Sequence, residues 1–105
     1  MAISSGTRDF IDSLVDYYMS EAASYRQIAD GYMPDIESAY DTAFGIIVGC
    51  IYTGFIQLYT NKKKTPPLED IQEFHKIIKE KAPYIMKSIL ESKAEPNSEK
   101  TTNNS

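Results

Sequence analysis

The chain has no tryptophan, one cysteine and one histidine among its 105 residues. A single cysteine, Cys50, excludes an intrachain disulfide and fits a reducing, cytoplasmic setting. Its apolar neighbours predict a small buried hydrophobe rather than a nucleophile, because a reactive thiolate needs exposure and a positive neighbourhood. One histidine, His75, does not make a zinc site: residue 72 is Gln, so no Glu-x-x-His is present, and Glu69 and Glu73 are expected on the opposite face. His75 therefore reads as a half-buried structural residue. No serine lies in a nucleophile elbow. Gly45-Ile-Ile-Val-Gly49 has neither the spacing nor the following lysine of a phosphate loop. No catalytic residue, metal ligand or cofactor is assigned, and the chain is read as non-enzymatic. The first eight residues lack the basic and apolar regions of a secretory signal.

Charge is also missing where it matters most. Between Asp41 and Lys62 no side chain is charged, and the run ends in Lys62, Lys63 and Lys64. About twenty uncharged residues are enough to span a bilayer as a helix. Within the run, however, Gln57, two tyrosines, three threonines and three glycines offset the small insertion gain of each Ile or Phe. The apolar periodicity also continues backward through Ile36 and Tyr40, among Asp35, Glu37 and Asp41. The reading is a soluble core helix; a single-span membrane protein anchored by residues 42–61 is the alternative.

What is present is helical periodicity. Ile11, Leu14, Val15, Tyr18, Ala22, Tyr25 and Ala29 recur at spacings of three and four. Thr7 is the expected N-cap, and Gly31 the expected left-handed terminator. Pro34 suits the first turn of a second helix, expected from Asp35 with Ile36, Tyr40, Ala43, Ile47, Ile51, Phe55 and Leu58 on one face. A strand over Gly45–Tyr59 is the competing assignment, since Ile, Val, Tyr and Phe also form strands. Pro66-Pro67 stops that helix. The next carries Leu68, Ile71, Phe74, His75 and Ile78 on one face, breaks or kinks at Pro83, and continues through Ile85, Met86, Ile89 and Leu90. The expected fold is all-α: a small bundle of three long helices, the last kinked at Pro83 into a fourth short helix. Residues 1–6 read as a flexible N-terminus, 7–92 as one helical domain and 93–105 as a disordered tail.

Two features point toward partners. Gly45, Gly49 and Thr53 form a stripe of small residues that lets a second backbone approach closely. Five of the eight tyrosines fall before Asp41, and Tyr17 and Tyr25 are candidates for contact, since tyrosine suits surfaces that are partly apolar and partly wet. An apolar helix offers more surface than its short partners cover, so self-association, or a place as a small subunit of an assembly, is expected. The net charge is −4 and the pI about 4.9, which removes a whole-protein nucleic-acid footprint. The second half is nonetheless locally basic, and Lys62, Lys63 and Lys64 are the candidate contacts if nucleic acid binds.

Overall fold

A computed structural model describes residues 3–92; Met1, Ala2 and the expected tail at 93–105 lie outside the described residues. The described chain is all-helical: α1 (Ser5–Ser20), α2 (Ala22–Asp30), α3 (Ala39–Thr60) and α4 (Leu68–Ser92). No strand occurs among the described residues, so Gly45–Tyr59 is helix.

The first helix starts earlier than Thr7. Ser4 is the N-cap, its hydroxyl accepting from the Thr7 backbone N–H at 3.1 Å. Ile3 reaches the core at 4% exposure, and its N–H donates to Glu73 Oε1 at 3.3 Å. The helix then breaks at Glu21, whose backbone leaves the helical region at φ −109°, ψ 20°. The Ser20 hydroxyl donates to the Tyr17 carbonyl at 2.6 Å, a back-bond that competes with the helical ladder. Gly31 ends α2 in the right-handed region at φ −67°, not in the expected left-handed conformation. Its N–H still reaches Gln27 and Ile28 carbonyls, so the helix closes without a left-handed residue.

The second expected helix begins later than Asp35. The Met33–Pro34 peptide is cis, and the chain turns through Tyr32–Asp35 before Ser38 caps α3 by accepting from the Asp41 N–H at 3.0 Å. A serine side chain supplies what Pro34 cannot, an acceptor for a first-turn donor. α4 runs as one helix through Pro83, which is exposed, so the backbone carbonyl left without a partner is on the wet side. The fourth helix therefore comes from the break at Glu21 rather than from Pro83.

α3 lies against α1, α2 and α4. Its buried row is Ala43, Ile47, Ile51 and Phe55, four residues apart. Ile11 and Val15 meet it from α1, Ala22 and Ala29 from α2, and Phe74, Ile77, Ile78, Ile85 and Ile89 from α4. Phe55 and Phe74 stack with centroids 4.7 Å apart, and Tyr52 meets Phe74 edge-on at 5.3 Å. Gly54 makes room for Leu14 of α1: a Cβ there would fall 2.8 Å from Leu14 Cδ1. Arg26 of α2 places its guanidinium 4.2 Å from the Tyr40 ring centroid, tying α2 to the start of α3. Leu68 departs from the expected core face at 67% exposure, because it opens α4 beyond the reach of α3. Tyr84 and Leu90 are likewise exposed, leaving Ile85 and Ile89 to anchor the last turns.

Candidate functional site

Residues two apart on an α-helix lie about 200° apart around its axis. The buried row of α3 therefore puts Gly45, Gly49 and Thr53, each offset by two, on the opposite side. All three are exposed, as are Asp41 and Gln57 in the same row. A Cβ built on Gly45 or Gly49 would meet nothing within 4 Å. Thr53 donates its hydroxyl to the Gly49 carbonyl at 3.0 Å, so its polar atom is satisfied within the helix. Ile46, Val48, Cys50, Tyr52 and Ile56 are half-buried along the edges of this strip. The result is a shallow face with bare backbone along its middle and apolar side chains at its margins. Along α3 the exposed residues are Tyr40, Asp41, Gly45, Gly49, Thr53, Gln57 and Thr60, and the rest are buried or half-buried against the other three helices. Three helices cover one side of a fourth and leave the other open.

The two tyrosine candidates do not join this face. Tyr17 is 54% exposed on α1 and Tyr25 is half-buried on α2. They converge instead on Glu21 at the helix break. The nearby Glu21 carboxylate raises the Tyr17 phenol above its ordinary value, and Tyr25 is raised first by burial. Tyr18 links them, 5.0 Å from Tyr17 and 5.8 Å from Tyr25 between ring centroids. This cluster braces the α1–α2 corner. Cys50 is half-buried, less enclosed than its apolar neighbours suggest, because the open side of α3 begins beside it.

Lys62, Lys63 and Lys64 are exposed in the α3–α4 loop. They also close the helix. The Lys64 N–H reaches the Tyr59 carbonyl at 2.9 Å and the Lys63 N–H the Thr60 carbonyl at 2.8 Å, while Lys63 adopts φ 57°. This is a Schellman closure with lysine in the position that favours glycine. Nearby, the Tyr59 hydroxyl donates to Asp70 Oδ2 at 2.8 Å, and partial burial with that bond pushes the phenol up to about 12. Of the other basic residues, Arg8 pairs with Glu80, Arg26 with Asp30, Lys81 with Asp12 and Lys87 with Glu91.

No family model matches this chain, and no curated protein or solved structure matches it either. His75 is exposed rather than half-buried, its ring stacked on Tyr52 at 5.8 Å, and no group of three His, Cys, Asp or Glu side chains converges among the described residues. The grooves on the surface are lined by charges, some already paired: Arg8, Gln72, Glu73, Lys76, Ile77 and Glu80 around one of about 420 Å³, and Val15, Asp16, Met19, Lys81 and Tyr84 around another. Asp41 and Gln57 extend the four-residue row at its two ends, but the row winds about 40° per step, so they flank the Gly45–Thr53 strip.

Proposed function

We propose that this protein is a non-enzymatic helical interaction module that self-associates through the open side of α3. One observation carries the reading: on the most apolar helix of the chain, Gly45 and Gly49 are exposed with no atom near the place of a side chain. Small residues on an apolar helix let a second helix come close enough for backbone and margin side chains to touch. The internal Thr53–Gly49 bond supports the same reading, since a hydroxyl already satisfied costs little to bury. Light scattering after size exclusion, over a hundredfold concentration range, is the test. A mass that rises toward twice the monomer supports self-association; a monomer mass throughout refutes it.

A second reading uses the same helix as a membrane span, for α3 is long and apolar enough by length and composition. For a span, α3 would have to leave α1, α2 and α4 or carry their charged outer faces into lipid. Leaving them uncovers Ile11, Val15, Ile77, Ile85 and Ile89, all buried now. Self-association keeps that core intact and is preferred. Recovery of the protein in a carbonate-resistant membrane pellet would reverse the preference.

A further inference from the structure

Resting on self-association through α3, we infer that the second copy packs antiparallel, α3 against α3, about a two-fold axis crossing the helix near residue 51. The exposed row runs Asp41, Gly45, Gly49, Thr53, Gln57. Reversing one copy about that axis sets Gly49 opposite Thr53, the small pair at the point of closest approach.

Charge at the two ends of α3 points the same way. Asp35, Glu37 and Asp41 are exposed at its N-terminal end, and Lys62, Lys63 and Lys64 at its C-terminal end. The ion pairs among the described residues use none of these six. In an antiparallel pair the acidic end of each copy lies beside the basic end of the other, twice over by symmetry. In a parallel pair carboxylate lies beside carboxylate and ammonium beside ammonium. The helix dipoles add to the preference, because antiparallel neighbours place opposite partial charges together. An isologous interface of this kind closes on itself and stops at a dimer.

The test is a distance. In a Cys50→Ala background, Thr60→Cys provides one exposed labelling position near the C-terminal end of α3. Circular dichroism establishes that the labelled chain is folded. In the antiparallel pair residue 60 lies opposite residue 42, so two nitroxide labels are about 27 Å apart along the helix at 1.5 Å per residue. In the parallel pair they are separated by little more than the interaxial distance of about 10 Å. A double electron–electron resonance peak near the longer distance supports the inference. A dimer with strong short-range dipolar broadening overturns the orientation while leaving self-association standing. A labelled chain that stays monomeric at every concentration overturns both. As a second arm, Asp41→Lys weakens the antiparallel dimer about five- to tenfold in low salt, an effect that shrinks as salt screens the ends; an unchanged affinity contradicts it.

Discussion

Three glycines lie in the interior of α3, and replacing each by alanine separates what the fold requires from what it leaves open. Glycine costs a helix about 1 kcal/mol relative to alanine, and none of these glycines has a positive φ that an alanine would strain. At Gly45 and Gly49 the new methyl meets nothing within 4 Å. Each substitution therefore stabilises the monomer by about 0.8 kcal/mol, or roughly 4–6 °C in melting temperature for a domain this size. At Gly54 the methyl falls 2.8 Å from Leu14 Cδ1 and 3.6 Å from Leu14 Cδ2, against a comfortable carbon–carbon contact of about 3.5–4.0 Å. Leu14 must swing away, and overpacking of about 1–3 kcal/mol cancels or outweighs the gain. The assay is thermal unfolding by circular dichroism at the lowest usable protein concentration, which favours the monomer. At high concentration the advantage of Gly49→Ala should shrink, because the same methyl pushes two paired helices apart and dimer binding no longer adds its share. If Gly45→Ala and Gly49→Ala are no more stable than Gly54→Ala at low concentration, the assignment of an open face is wrong.

Other consequences are simpler. Lys63→Gly should stabilise the protein by about 0.5–1 kcal/mol, read as a shift in the urea midpoint, because lysine holds a left-handed φ of 57° that glycine adopts without penalty. Phe74→Ala should cost about 3–5 kcal/mol, a large part of the stability of a small domain, since the ring is fully buried against Phe55; urea unfolding will show it. The Tyr59 phenol is raised in the folded state, so its contribution is fully present below pH 10 and is lost as pH rises toward about 12. Stability should therefore fall more steeply over that interval in the parent than in Tyr59→Phe, as pH-dependent melts can establish.

Much of the fold was legible because the apolar periodicity is regular. Ile11, Val15, Ala22 and Ala29 were expected on one face and are buried, as are Ala43, Ile47, Ile51 and Phe55 on α3. The helix ends were less legible. Ser4 and Ser38 outcompeted Thr7 and Pro34 as starting points because each hydroxyl can reach a free N–H three residues on, and several nearby residues offered that chemistry equally well. The break at Glu21 was hidden because the apolar pattern continues across it, and the Glu21 backbone at φ −109°, ψ 20° shows it only in the structure. Pro83 does not end the helix: it is exposed, the Lys79 carbonyl that loses its partner can turn to water, and α4 continues. The small-residue stripe was visible in sequence, but its exposure depends on how three neighbours pack on one side of α3, which periodicity alone does not say. Tyr17 and Tyr25 lie on α1 and α2, each four residues from Glu21 and away from that stripe.

The open side of α3 is proposed to hold a second copy of this chain. Sedimentation velocity of the parent and of Gly49→Glu over a wide concentration range tests it most directly, because Gly49 faces solvent in the monomer and a glutamate there is compatible with the fold. The expected result is a reversible monomer–dimer equilibrium for the parent and a folded monomer for Gly49→Glu at every concentration. A parent that never exceeds monomer mass, or a variant that dimerises as tightly as the parent, contradicts it.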